Sequence, residues 1–189
     1  MLHIEPRFYL FIALLLLVLP LPWLLAAFLA ALIHELCHLT MVVLLKGTVR
    51  HIRVDIGGAQ IGARLPGWME EFLSSLAGPV GSLLLVLLCH RLPRLAVCGC
   101  IQGLYNLLPI YPLDGGRALR CLLERICPTK AETILSFAEK TVAGLLLMAA
   151  VYGAAVLSLG FWPVLAVLVP ISGLIRRKIP CKQREIGVQ

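Results

Sequence analysis

Long apolar runs alternate with short polar, basic or proline-rich segments along this chain. A helix that crosses a bilayer needs about 20 mainly apolar residues, with a range of about 17–25. The pattern predicts an α-helical polytopic membrane protein with about six transmembrane segments: Phe8–Leu19, Trp23–Leu45, Phe72–Cys89, Leu95–Leu108, Ile134–Leu157 and Phe161–Ile175. The first and fourth segments are short, so we expect them to be tilted, re-entrant or buried among the others.

One stretch departs from the helical pattern. Within residues 48–65, successive side chains alternate with a period of two residues, as in a β-strand. Gly57-Gly58 is a two-residue turn signal. We therefore predict a short β-hairpin directly after the second transmembrane segment. Two interpretations are open from the sequence: a surface hairpin without a role, or an edge strand that an extended substrate can join.

Composition agrees with the membrane assignment. The chain is 60% hydrophobic and 14% charged, whereas soluble domains have roughly 25% charged residues. Its length leaves room for one membrane domain. The apolar N-terminal run is not followed by an A-x-A-like site, so we expect it to be retained rather than removed as a signal peptide.

The basic residues predict the orientation in the membrane. With six spans, most Lys and Arg residues fall on one side, and only Arg91 and Arg94 fall on the other. Positive residues favour the cytoplasmic side, so we expect a multi-pass cell-membrane protein with both termini in the cytoplasm. Topology and a basic tail beside anionic lipid headgroups account for the net charge of +7. The charge therefore indicates the lipid bilayer as a partner and does not indicate nucleic acid.

His34-Glu35-Leu36-Cys37-His38 lies inside the second apolar run. On a helix, positions i and i+4 share one face, so His34 and His38 can bind one metal ion, with Glu35 placed to act on a water that the metal activates. The alternative is a surface helix with solvated side chains, but the flanking residues are too apolar for that. A charged side chain at the bilayer centre costs roughly 2.5–3.5 kcal/mol, which favours a functional role.

Asp114 is the best candidate for a third ligand. Hydrolytic zinc sites usually have three protein ligands and one open position. Asp114 follows the helix-breaking residues Pro109 and Pro112 and precedes two glycines that allow close backbone approach. The alternative is a helix cap for a helix beginning near Gly115, and both roles are open at this stage. The other candidate carboxylates lie at a helix start, in the hairpin or on polar, basic stretches: Asp55, Glu70, Glu71, Glu124, Glu132 and Glu139.

Three motifs together carry a resemblance to a known family. They are HELCH in the second segment, Leu76-Ala77-Gly78-Pro79 in the third, and NLLPIYPLDGGR after the fourth. With this set, the chain resembles the site-2 protease family of intramembrane zinc metalloproteases, peptidase family M50, over roughly residues 8–126. Its short length and six spans are similar to the sporulation branch, whose stage IV protease processes an inactive sigma-factor precursor.

The resemblance implies a role for each matching residue. His34 and His38 match the family's imidazole ligands for Zn²⁺, and Asp114 matches its carboxylate ligand. Glu35 matches the general base.

Outside the metal ligands and the base, the resemblance implies three further residues with substrate-related roles. Asn106 matches a polar residue that helps to hold the substrate backbone or the oxyanion. Gly78 and Pro79 match a family turn with a structural or substrate-contact role.

The implied activity is that of an intramembrane zinc metalloprotease that cleaves a membrane-associated or transmembrane protein precursor near the cytoplasmic face. A sporulation sigma-factor precursor is one candidate substrate, and a membrane inhibitor or regulator is a candidate partner. We expect one metalloprotease domain over 1–189, with a catalytic core at about 8–126, two further helices within 134–175 and a basic cytoplasmic tail at 176–189.

Two family features differ in this chain. Many members carry a PDZ domain between the catalytic helices, where this sequence has only the hairpin. The sporulation branch commonly carries a CBS domain after the last span, where only about a dozen residues follow Ile175. We therefore expect no regulation through either domain.

Two other classes of protein remain as alternatives. A metal transporter also places His and Glu in membrane helices, but it should need further ligands along a path. A non-catalytic membrane scaffold would be expected to lose the base or a ligand, and this chain keeps all four residues.

Overall fold

The structure, a computed structural model, describes residues 2–4, 19–55 and 58–155. Most of the first predicted segment, at 8–18, lies outside these residues. The sixth segment, Phe161–Ile175, and the basic tail also lie outside them.

Five α-helices make up most of the described chain: α1 (Leu21–Leu44), α2 (Trp68–Leu84), α3 (Pro93–Asn106), α4 (Asp114–Ile126) and α5 (Ala131–Ala155). A 3₁₀ turn at Leu85–Leu88 extends α2. Within the described residues, α1, extended α2 and α5 are long and apolar enough to cross a membrane. The structure therefore confirms a helical membrane protein. At 14 residues, α3 is about 21 Å long, short of the roughly 30 Å hydrocarbon core.

Helix α1 carries the predicted metal motif and buries only one narrow stripe. Pro22 lies in its first turn, where a missing N–H costs little. Ala30, His34, His38 and Val42 are its buried residues, and they recur every four positions. This spacing places them on one helix face, so the polar pair points into the protein while most of the helix presents apolar side chains outward.

Helix α2 presents small residues to that stripe. Ser74, Gly78 and Ser82 are buried and recur every four positions, which lets the backbones of α1 and α2 approach closely, as is usual between membrane helices. The prediction that Gly78 and Pro79 form a turn is wrong, because both lie within α2. Neighbouring helices make an internal proline tolerable in a membrane helix.

Asp114 follows an irregular connection between α3 and α4. Helix α3 ends at Asn106, and α4 begins at Asp114 itself. A Cβ atom on Gly116 would lie 2.5 Å from the carbonyl carbon of Ile110, and one on Gly115 would overlap the carbonyl of Leu107. The paired glycines therefore let the first turn of α4 rest directly on the backbone of the connection, as their sequence position predicted.

Helix α4 is amphipathic and separate from the predicted transmembrane segments. Its buried side includes Asp114, Ala118 and Cys121 at helical spacing, and Arg120, Glu124 and Arg125 lie on the more exposed side. This distribution is typical of a helix that lies along a membrane surface. It packs on α2 and α5.

The predicted hairpin is confirmed, with a different turn. Strands β2 (Thr48–Asp55) and β3 (Gly58–Arg64) are antiparallel, with an irregularity between Val49 and His51. Gly58 pairs with Asp55, so the assignment of Gly58 to the turn is wrong. The two residues between them lie outside the described chain.

A third strand alters the interpretation of the hairpin as a docking edge. Strand β1 (Leu2–Ile4) pairs in parallel with β2, giving the order β1-β2-β3. Strand β2 is therefore the middle strand of the described sheet. An added substrate strand can pair only with β1 or β3.

Candidate metal centre

Three buried ligand atoms from two distant parts of the chain converge. Asp114 Oδ2 lies 3.1 Å from His34 Nε2 and 3.1 Å from His38 Nε2, and the two Nε2 atoms are 3.2 Å apart. The three residues are 3%, 9% and 8% exposed. The sequence-predicted ligand set is thus brought together by packing of α1, α2 and the start of α4.

Each imidazole is held from behind through its other nitrogen. His38 Nδ1 lies 2.7 Å from the Ser74 main-chain oxygen, and His34 Nδ1 lies 2.8 Å from Ser82 Oγ. A carbonyl oxygen can only accept, so His38 must donate from Nδ1. In the neutral ring, Nε2 of His38 then presents a lone pair to the other ligand atoms.

This arrangement calls for a cation. A carboxylate oxygen also accepts only, so two acceptors facing each other at 3.1 Å repel unless a proton or a metal lies between them. Ligand atoms that share a tetrahedral ion at about 2.0–2.1 Å lie about 3.3–3.4 Å apart. The observed separations of 3.1–3.2 Å are close to that value. Two imidazoles and one carboxylate therefore fit a zinc site.

Asp114 is in the ionised form that metal binding needs. Burial alone raises its pKa, but with a proton in place of the metal, hydrogen bonds from the imidazoles of His34 and His38 outweigh burial and lower the pKa to about 2. Arg117 Nη1 lies 4.0 Å from the other oxygen, Oδ1. The helix-cap interpretation does not hold, since the N-cap of α4 is Leu113 and there is no side-chain cap bond.

Gly78 fits directly against a ligand ring. A Cβ atom at this position would overlap the His38 imidazole, including Nε2. Any side chain on Gly78 would therefore push His38 away from the other ligand atoms. The structure places Gly78 beside the candidate ligand His38, whereas the main-chain oxygen of buried Pro79 faces α3, 3.0 Å from where a Cβ atom on Gly103 would lie.

Glu35 lies beside the ligands and is only partly buried. It is close enough to interact electrostatically with His34, His38, Asp114 and Arg117. A carboxylate in that position is suited to proton transfer at the site.

The hydrogen bond of the Asn106 side chain goes to its own helix and not to the three ligand atoms. Its Nδ2 donates to the Gln102 carbonyl at 3.2 Å, one turn earlier on α3. The predicted contact of Asn106 with substrate or oxyanion therefore stays a prediction.

Sequence reasoning missed the residues that support the ligands. The spacing of Ser74, Gly78 and Ser82, four residues apart in an apolar helix, was the available signal for Ser82. The assignment of Glu139 to a polar, basic stretch was wrong: it is 2% exposed and accepts the Tyr111 main-chain N–H at 3.0 Å.

Comparisons with known proteins agree with this geometry. The sequence profile described as Peptidase M50B-like matches residues 8–105, and the profile described as Peptidase family M50 matches residues 70–150. No curated protein sequence matches the chain. Among solved structures, the site-2 protease from Methanocaldococcus jannaschii is similar with a TM-score of 0.68 and 22% identity, over 98% of this chain and 94% of that one. At that identity the structural match shows a shared fold.

Proposed function

This chain belongs to the M50 family of peptidases, and on that premise we propose that it is an intramembrane zinc metalloprotease acting on membrane-associated proteins. The observation that carries the proposal is the buried convergence of His34, His38 and Asp114. The membrane-spanning length of α1 and α2 supports an intramembrane location for that site.

Within this proposal, His34, His38 and Asp114 hold Zn²⁺. When bound, zinc supplies Lewis-acid activation of water and of the scissile carbonyl. Glu35 accepts the proton of the attacking water and returns it to the leaving amine. Ser74 and Ser82 keep the imidazoles oriented, which is the usual task of partners behind metal-bound histidines.

The described residues contain one group of potential metal ligands, and a transport path would need a series of them. Within 19–55 and 58–155, the group of three potential metal ligands is the one at His34, His38 and Asp114. A transporter would need further ligands along its spans. The single site therefore supports hydrolysis over transport.

The substrate must present an extended backbone to the site. Strand β3 is an outer strand of the sheet and belongs to the hairpin that directly follows α1, so it is our candidate for pairing with an unwound substrate segment. Asn106, at the end of α3, is our candidate donor to the oxyanion.

The depth of the site suggests where cleavage occurs. His38 lies six residues before the end of α1 at Leu44, or about 9 Å along the helix, and basic residues follow on that side. We propose that this side is cytoplasmic and that the substrate is a membrane-associated precursor with a cytoplasmic segment near the surface. A sporulation sigma-factor precursor is one substrate of this kind, and a membrane inhibitor is a compatible partner.

Co-expression tests the proposal directly. Candidate membrane-tethered precursors are expressed with the native chain or with its Glu35→Gln variant, and cleavage products are followed by immunoblotting. A product that appears with the native chain and not with Glu35→Gln supports the proposal. Equal processing by the two forms would refute it.

A further inference from the structure

Glu139 is a buried carboxylate inside a membrane-spanning helix. It lies nine residues into α5 (Ala131–Ala155) and is 2% exposed. Ionisable side chains are expensive in a membrane span and usually serve a specific partner. The proteolytic chemistry outlined above does not use Glu139.

One partner of Glu139 lies in the connection that leads to Asp114. Glu139 Oε1 accepts the main-chain N–H of Tyr111 at 3.0 Å, and Tyr111 precedes Asp114 by three residues. This hydrogen bond is part-buried, and a buried N–H without an acceptor costs about 1–3 kcal/mol, so the contact holds the Tyr111 backbone in place.

The contact is transmitted to the ligand through close packing. Gly116, two residues after Asp114, rests on the backbone of Ile110 and Tyr111, where a Cβ atom would come within 2.5 Å. A displacement of Tyr111 therefore moves the first turn of α4, and the Asp114 carboxylate moves with it.

A second link between α4 and α5 lies on the exposed side. Arg120 bonds to Glu132 at 3.3 Å and lies over the Tyr111 ring at 6.0 Å. Glu132 is seven residues before Glu139 on the same helix, two turns away, and its side chain is 74% exposed. It therefore provides a matched comparison: an exposed carboxylate on the same face of α5, in contact with α4 but not with the main chain of the connection.

We propose that Glu139 is a positioning residue of the metal centre, which holds the Tyr111 backbone and thereby sets Asp114 against His34 and His38. The inference rests on the proposed function, because it takes Asp114 as a metal ligand. The role assigned to Glu139 is that of a hydrogen-bond acceptor at a fixed distance from the Tyr111 N–H.

Three variants separate acceptor position from charge. Glu139→Gln keeps an oxygen at the same reach and loses the charge, whereas Glu139→Asp keeps the charge and withdraws the oxygen by one methylene. Glu139→Leu removes the acceptor. The full-length chain is purified in detergent, stripped of metal, and titrated with Zn²⁺ against a chromophoric chelator.

We expect Glu139→Gln to bind zinc within about threefold of the native chain and Glu139→Leu to lose about tenfold or more, the lower end of the range for outer partners of metal ligands. Glu139→Asp should fall between them. Glu132→Gln should match the native chain. If Glu139→Leu does not fold, the comparison of Gln with Asp still decides the matter.

Affinity in the order Asp above Gln would show a role through charge and overturn the proposal. Native affinity in all three variants would also overturn it. Asp114→Ala, measured alongside, separates this inference from the proposed function. Loss of zinc in Asp114→Ala with none in Glu139→Leu refutes only the positioning role, whereas unchanged zinc in Asp114→Ala refutes the metal site on which both depend.

Discussion

His38 donates from Nδ1 to the main-chain oxygen of Ser74 at 2.7 Å, and this hydrogen bond decides which nitrogen faces Asp114. Because the carbonyl can only accept, the proton is committed to Nδ1 and the lone pair on Nε2 is left for a cation. The packing of α1 against α2 therefore prepares the ligand ring as well as burying it.

Ser82 supports the second imidazole, so its hydroxyl should matter for metal binding. Ser82→Ala removes the group 2.8 Å from His34 Nδ1, and we expect zinc affinity to fall about 10-fold. Ser75→Ala is the matched control, since the Ser75 hydroxyl bonds to the Glu71 carbonyl within the same helix. Zinc titration of both variants checks the prediction, and equal affinities would contradict it.

Gly78 leaves no room for a side chain beside His38. Gly78→Ala should displace the ring and lower zinc affinity by more than about 10-fold, the loss typical when an outer partner is removed. At Gly144→Ala, by contrast, the new methyl group meets nothing within 4 Å. That control should bind zinc normally and be slightly more stable, by about 0.5–1 kcal/mol, because alanine favours a helix. Normal zinc binding by Gly78→Ala would contradict this prediction, because it would show that the His38 ring can move aside for a methyl group.

Asp114 should be needed for both metal and activity. Asp114→Ala removes one of three protein ligands, and Asp114→Asn keeps the shape while removing the charge. We expect both variants to lose more zinc affinity than the about 10–100-fold loss typical of outer partners, with Asn less harmful to folding. Zinc content after dialysis and thermal unfolding are the measurements. Full activity in either variant would show that Asp114 is not a ligand.

The orientation can be tested at two exposed positions. Arg91 lies on the side with few basic residues, and Lys130 lies near the basic residues that follow Asp114. Each is replaced by cysteine in turn. In a background without native cysteines, a membrane-impermeant maleimide should label Arg91→Cys in intact cells. It should label Lys130→Cys only after permeabilisation. The reverse labelling pattern would show that the topology is inverted and that the product is released outside the cytoplasm.

The three residues of the candidate metal centre could be picked out from the sequence because their signals are local. His34 and His38 share a helix face by spacing alone, and Asp114 stands out among prolines and glycines that break a membrane helix. The apolar runs likewise predicted α1, α2, α3 and α5, since membrane helices need long stretches of apolar residues.

The remaining features depend on contacts between distant parts of the chain. Ser74 supports His38 through a main-chain oxygen, which leaves no trace in residue type. Glu139 is followed by exposed Lys140, so the local sequence suggested a solvent-exposed position. It is buried by packing that includes the connection before Asp114. The pairing of Leu2–Ile4 with β2 joins residues about fifty positions apart, for which three residues carry no periodic signal.

The most direct test of a zinc-dependent protease compares metal content and cleavage in one preparation. The native chain and Glu35→Gln are purified in parallel, their zinc is measured by elemental analysis, and each is incubated with a membrane-tethered substrate that the native chain cuts. Because Glu35 transfers protons while His34, His38 and Asp114 hold the ion, we predict nearly equal zinc in the two forms and cleavage only by the native chain. Retained cleavage by Glu35→Gln, or a native chain that cuts equally well after its zinc is removed, would contradict the account.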